Sequence, residues 1–232
     1  MLGRVSAQTP LSPTPRTTVA RGAGRAQSDR ESLYAALADG LVCHLGVVVD
    51  GVPRVVPTVY GVDRDGPDRD GTLYVHGSVA ARSLGEAPDQ AVCVTVTLLD
   101  GLVLARSGFH HSMNYRSAVI MGVPRLVQDP VEKLRALDLV VDQVVPGRAH
   151  TLRPHTRKEL AATTVLALPL HEASLKVRSG DPVDDVDDIG AQVWAGVVPV
   201  EAVCGDPVRS SDCAADIPVP AEVVALRPVN LA

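Results

Sequence analysis

The stretch Phe109-His110-His111-Ser112-Met113-Asn114-Tyr115-Arg116-Ser117 sets two imidazoles, a phenol, a guanidinium and two hydroxyls directly before an apolar run, Ala118-Val119-Ile120-Met121-Gly122-Val123. β-Branched content and a glycine mark that run as a strand. A guanidinium at the mouth of a buried strand has to be paired. An anion such as a phosphate suits the planar donors of Arg116 and the Ser117 hydroxyl. The alternative is that Arg116 pairs with one of the many acids and Tyr115 merely packs, and composition alone favours it.

Other reactive groups carry weaker signals. His110 and His111 invite a metal, but neighbours on an extended chain point to opposite faces and do not easily share one ion. His44, between Cys43 and Leu45, reads as a satisfied core or interface histidine. Ser107, Ser112 and Ser117 lie outside any nucleophile elbow. Cys43, Cys93, Cys204 and Cys213 have no zinc spacing, and the first two read as buried thiols. Asp184-Asp185-Val186-Asp187-Asp188 lacks the ligand alternation of a calcium loop and reads as a solvated acidic loop. Gly22-Ala23-Gly24 looks faintly like a phosphate loop, but no strand precedes it, so it is set aside.

The elements that must position these groups follow from composition and period. The 232 residues allow one large domain, and a hydrophobic fraction of 46% with only 3% aromatics requires a core of Val, Leu and Ala. Twenty-two basic against 27 acidic residues, a formal charge of −5, argue against a nucleic-acid surface. No leader or spanning segment is visible, so no membrane and a cytoplasmic location are expected.

Residues 1–28, rich in Pro, Ser, Thr and Gly, read as an arm that is disordered or drapes over a partner. Ser28-Asp29-Arg30-Glu31 starts a helix with Leu33, Tyr34, Leu37 and Ala38 on one face and Gly40 as its stop. Residues 41–49 and 54–60 form a hairpin about Asp50-Gly51, and 72–76 a third strand. Residues 78–84 suggest a short helix, and Asp100-Gly101 a second hairpin turn between 90–98 and 102–107. A strand follows Tyr115 as far as Val127. Asp129-Pro130 opens a helix that Pro146-Gly147 ends. Residues 163–170 and 193–200 are further strands. Short strands joined by hairpins, with inserted helices, point to one mainly β, barrel-like domain over 29–200, with a C-terminal extension, 201–232, of unassigned role.

Several motifs occur in an order that resembles a known family. They are His44-Leu45-Gly46, Val56-Pro57-Thr58, Leu73-Tyr74-Val75-His76-Gly77-Ser78 with Arg82, Leu98 to Ser107, Tyr115-Arg116-Ser117, Lys176-Val177-Arg178-Ser179-Gly180 and Val193-Trp194-Ala195-Gly196-Val197. Together they resemble the pyridoxamine 5′-phosphate oxidase-like flavoproteins, in the branch that includes nitroimidazole-resistance proteins. The resemblance implies an FMN-binding split β-barrel and a homodimer with FMN in an interfacial cleft. It implies that Pro57, Thr58 and Val59 lie along the flavin ring, with Val75, His76 and Ser78 beside it. Arg82, Arg116 and Ser117 would hold the phosphate, Trp194 would line the cleft, and Lys176 and Arg178 belong to a family motif. His76 would carry the proton chemistry, or else bond to the dimer partner.

The expected activity is two-electron transfer through the flavin to or from a small molecule, with a nicotinamide as donor. No Arg-x-His motif lies near Arg227, so pyridoxamine-phosphate oxidation itself is not expected. The alternatives are a flavin or haem carrier or sensor without turnover, with His44, His110 or His111 as axial ligand, and a deazaflavin-dependent reductase.

Overall fold

Caps and turns delimit most elements. A computed structural model describes residues 9–226. A two-residue strand β1 (Ala26–Gln27) leads to helix α1 (Arg30–Asp39), where the Asp29 carboxylate accepts from the Ser32 amide and Gly40 closes the end. Its buried face is Arg30, Leu33, Tyr34, Ala36 and Leu37, with Ala36 in the place expected for Ala38. Strands β2 (Cys43–Val49) and β3 (Val52–Thr58) pair throughout about Asp50-Gly51, where φ is +53° and +75°, the left-handed values a two-residue hairpin demands.

The chain then changes sheets at Val59. Strands β4 (Tyr60–Asp63) and β5 (Thr72–Ser78) follow, then one turn of helix α2 (Arg82–Gly85), which starts later than Ser78. The long strands β6 (Val92–Leu104) and β7 (Ser112–Gly122) and the short β8 (Arg125–Leu126) precede helix α3 (Pro130–Val144), capped by Asp129. Helix α4 (Arg157–Ala162), strands β9 (Thr163–Pro169), β10 (Ala173–Arg178) and β11 (Gly196–Pro199), and the single turn α5 (Ala221–Val224) complete the order.

Two antiparallel sheets enclose the main core. The larger runs β1-β10-β7-β6-β2-β3, with β11 added to the distal half of β6; the smaller runs β4-β5-β9-β8. Leu37, Leu45, Leu73, Ile120, Leu168 and Leu175 fill the space between them. Helix α3 covers the other face of the smaller sheet, setting Ala136 and Leu137 against Tyr74, Val165 and Ala167. Its approach depends on Gly61, where a Cβ would lie 2.8 Å from the Val140 amide nitrogen. The mainly β class with inserted helices is therefore as expected.

The structure differs from the sequence reading at several points. Asp100-Gly101 is no hairpin turn: β6 passes straight through it with a bulge, and the turn to β7 lies at residues 105–111. The strand expected after Tyr115 begins at Ser112 and stops at Gly122, so Tyr115, Arg116 and Ser117 lie within it, and β8 belongs to the other sheet. Strand β10 was not foreseen. Asp184 is no solvated loop residue, since it accepts from the Arg106 amide (2.8 Å) and guanidinium (2.6 Å) with its side chain buried. Cys43 is buried but Cys93 only partly so.

From Thr9 the arm lies on its own chain. Leu11 is buried, the Ser12 amide donates to the Ala173 carbonyl, and β1 pairs with β10. The buried Arg30 guanidinium donates to the carbonyls of Thr9, Leu170 and His171 and pairs with Asp70 at 3.2 Å. The remainder of the expected arm and extension, residues 1–8 and 227–232, lies outside the described residues. Among the described residues no helix is long and apolar enough to cross a membrane.

Candidate functional site

Side-chain alternation sorts the larger sheet into two faces. Val94, Val96, Ala118, Ile120 and Leu175 point into the core. Their neighbours point outward, and the register lines them up. Thr97, Ser117 and Lys176 sit side by side on β6, β7 and β10. His44, Thr95 and Val119 form the next row, with Pro57 beyond His44 on β3. Directly opposed residues of such rows are about 5 Å apart at Cβ, so the first row is one connected polar strip, while the second sets His44 and Thr95 between Pro57 and Val119. His44 is exposed on this face rather than sequestered in the core.

Arg116 is not part of that strip: it alternates with Ser117 and lies on the side of β7 shared by Ala118 and Ile120. Its Nε and Nη2 donate to the Asp100 carboxylate (3.1 and 2.9 Å), and Nη1 donates to Asp39. These hydrogen bonds, those of Asp100 first, push its pKa further up and hold it charged. The surrounding groove, about 700 Å³, also contains Glu201, so three carboxylates face one guanidinium. An additional phosphate would be repelled there. The ion-pair alternative for Arg116 describes its environment, and the two acids are the site residues that sequence reasoning missed. Asp100 was masked by its turn-like Asp-Gly dipeptide.

Arg82 is exposed and pairs with Asp50 and, at 3.0 Å, with Glu86. Its Asp50 partner follows the end of β2, while the Asp39 partner of Arg116 precedes its start. Seven strand residues separate them, roughly 20 Å. One chain therefore does not bring Arg82 and Arg116 to a common phosphate.

The remaining candidates are dispersed. Val75 is 3% exposed and packs in the core, so its side chain offers a ligand nothing. Thr58 and Val59 sit at the crossing between sheets, where the Thr58 hydroxyl donates to the Val59 carbonyl. Ser78 is exposed and its Oγ accepts from the Ala80 amide. Trp194 is 66% exposed, its indole folded over Gly196. His76 is partly buried opposite Val165, and its Nδ1 has no hydrogen-bond partner among the described residues. Burial lowers its pKa, which keeps the imidazole neutral at neutral pH.

The histidine pair has other occupations. His110 Nε2 faces Asp185 at 3.2 Å, and His111 Nδ1 lies 2.8 Å from the Ser107 carbonyl. Among the described residues no cluster of three or more His, Cys, Asp or Glu side chains could hold a metal.

Comparisons with known proteins agree with this architecture. Residues 29–177 match the family model described as pyridoxamine 5′-phosphate oxidase. No curated protein matches the chain. Among solved structures, the flavocytochrome Anf3 from Azotobacter vinelandii is 37% identical, with a TM-score of 0.85, over 94% of this chain and 99% of its own. A FAD and heme binding protein from Mycobacterium smegmatis is also 37% identical, with a TM-score of 0.80, over 88% of this chain and 97% of its own. A candidate 5-nitroimidazole antibiotic resistance protein from Bacteroides thetaiotaomicron shares the fold at 23% identity and a TM-score of 0.53, over 66% of this chain and 86% of its own. With a family match across most of the chain and two relatives at this identity, the chain belongs to the pyridoxamine 5′-phosphate oxidase family and has its flavin-binding split-barrel fold.

Proposed function

We propose that this chain is a redox protein of the flavocytochrome type, binding a flavin and a haem and transferring electrons to or from a small molecule. The observation that carries the reading is the 37% identity, over nearly the whole of both chains, to a protein named as a flavocytochrome. The mycobacterial relative is named for FAD, which favours the dinucleotide over the FMN expected from the sequence. A bound flavin supplies two-electron transfer and a haem iron one-electron exchange.

The residues present fit a flavin phosphate at one place on the outer face. Lys176 has no carboxylate partner among the described residues and Ser117 stands opposite it. Arg116 and Arg82, both held by carboxylates, are assigned to structure instead. Pro57, Thr58 and Val59 border the same face. His76, neutral and with a free Nδ1, is placed to hold or pass a proton. For a haem iron, His44 fits best: it is exposed and makes no hydrogen bond to the described residues, whereas His111 has the Ser107 carbonyl and the buried His110 Nε2 faces Asp185 without a hydrogen bond. The homodimer is part of this reading, since the exposed Val48, Val55, Leu99 and Met113 make the larger sheet's outer face apolar as well as polar. A nicotinamide donor and a cytoplasmic setting complete it.

Visible absorption of the purified protein tests the proposal. A flavin band and a Soret band in one preparation, both altered by anaerobic NADH or NADPH, are expected. Flavin that never reduces would leave a carrier. Colourless protein that takes up neither FAD nor haemin, but binds a deazaflavin, would overturn the reading.

A further inference from the structure

Helix α3 presents two different stripes to its surroundings. Ala136 and Leu137 pack on the smaller sheet. Leu134, Asp138 and Val141, at spacings of four and three, lie one above another on a second stripe. Beside that stripe is a hollow of about 370 Å³, closed on its other sides by Ala149, Leu152 and Leu160 of α4. Its volume lies within the range of small-molecule pockets.

Hydrogen bonds fasten both of these walls to α3. The Asp142 carboxylate accepts from the Ala149 amide at 2.8 Å, and the Lys133 ammonium donates to the Leu160 carbonyl at 2.8 Å. The hollow is therefore preformed. Leu134 and Leu152, 38% and 46% exposed at its mouth, gain from being covered.

Few polar groups face the space. Arg153 is balanced by two hydrogen bonds to Glu159, at 3.0 and 2.5 Å. That leaves Asp138 Oδ1 and His155 Nε2, which face each other at 3.8 Å, too far for a hydrogen bond. Neither side chain has a hydrogen-bond partner among the described residues. An Nε2 that faces a carboxylate carries its hydrogen, because a lone pair there would meet the carboxylate's own. The gap thus has an acceptor on one side and a donor on the other. A hydroxyl oxygen about 2.8 Å from each fits it, donating to Asp138 and accepting from His155. Asp138 repels a carboxylate, and an ammonium has no lone pair for the imidazole.

We propose that this hollow between α3, the segment 149–155 and α4 is a binding site for a small apolar alcohol or phenol, whose hydroxyl bridges Asp138 and His155. Leu134, Val141, Leu152 and Leu160 enclose the apolar body. The site lies on the helix-covered side of the smaller sheet. The polar strip of β6, β7 and β10 is on the outer face of the other sheet, so the proposal stands independently of the flavin reading.

Equilibrium dialysis of the full-length protein, with its native cofactor content, against 2-naphthol and 2-methoxynaphthalene tests this. The two probes share a ring system and an oxygen, but the second cannot donate a hydrogen bond. Wild type should bind 2-naphthol about tenfold more tightly, the scale of one hydrogen bond to a charged acceptor. Asp138→Ala changes an exposed side chain, and its thermal melt checks that it folds. It should bring 2-naphthol down to the affinity of 2-methoxynaphthalene. Ala149→Phe, which fills the hollow, should lower both affinities by about tenfold or more. No uptake of 2-naphthol by wild type, equal affinities for the two probes, or 2-naphthol affinity within twofold of wild type in either folded variant would overturn the proposal.

Discussion

Replacing Arg116 with methionine separates two roles that the sequence leaves open. The substitution keeps the aliphatic stem and removes every charged donor. Lost are the paired bonds from Nε and Nη2 to Asp100 and the bond from Nη1 to Asp39. Side-chain exposures of 31%, 35% and 57% for Arg116, Asp100 and Asp39 place the cluster in partial contact with water, so screening cuts its worth. The two-pronged Asp100 pair then contributes about 1 kcal/mol and the Asp39 pair about 0.5 kcal/mol. A total near 1.5 kcal/mol corresponds to a fall of about 3–6 °C in Tm for a chain of this size. Thermal unfolding of flavin-free protein measures it, and a double-mutant cycle with Asp100→Asn should return a coupling of about 1 kcal/mol. Flavin affinity should change less than threefold. An unshifted melt combined with a tenfold loss of flavin affinity would refute the reasoning and return Arg116 to the phosphate.

Gly61→Ala should cost about 1–3 kcal/mol in urea unfolding, because the new methyl meets the α3 backbone rather than a side chain that can turn away. His76 has a folded-state pKa below its ordinary 6.5, so the unfolded chain binds the proton more readily. Its contribution to stability is complete above pH 6.5 and is lost as the pH falls through 6.5 towards the depressed value. His76→Gln should flatten that acid-side slope in pH-dependent melts; an unchanged slope would assign it to other groups. In the same variant flavin content should persist while reduction of an acceptor slows. The Cys43 thiol, pushed up to about 12 by burial, should resist a disulfide reagent in the native protein while exposed Cys204 reacts, and denaturant should release it.

Local chemistry was enough to read some elements and not others. Helices α1 and α3 each begin at an aspartate that accepts backbone hydrogen bonds, a signal contained within three residues. The two Asp-Gly dipeptides show where such signals stop. Asp50 and Gly51 both adopt positive φ and turn the chain. Asp100 and Gly101 adopt none and stay extended, because β7 on one side and β11 on the other hold β6 straight across them. Strand β10 alternates apolar Ala173, Leu175 and Val177 with polar Ser174, Lys176 and Arg178, a pattern of only six residues, and distant neighbours, β7 and β1, hold it in place. Arg116 was visible as a guanidinium in need of a partner. Which acids would meet it depended on a helix end and a bulge 77 and 16 positions away.

Strand β3 closes one side of the larger sheet and has a single neighbour, β2. Pro53 and Pro57 lie four residues apart along it, so they face the same way and neither has an amide hydrogen. The free rim of the barrel therefore lacks a donor at two regularly spaced positions. A strand from another molecule laid along that rim would find its ladder interrupted twice, which, with the exposed Arg54 between the prolines, guards a valine-rich hairpin against open-ended fibril growth.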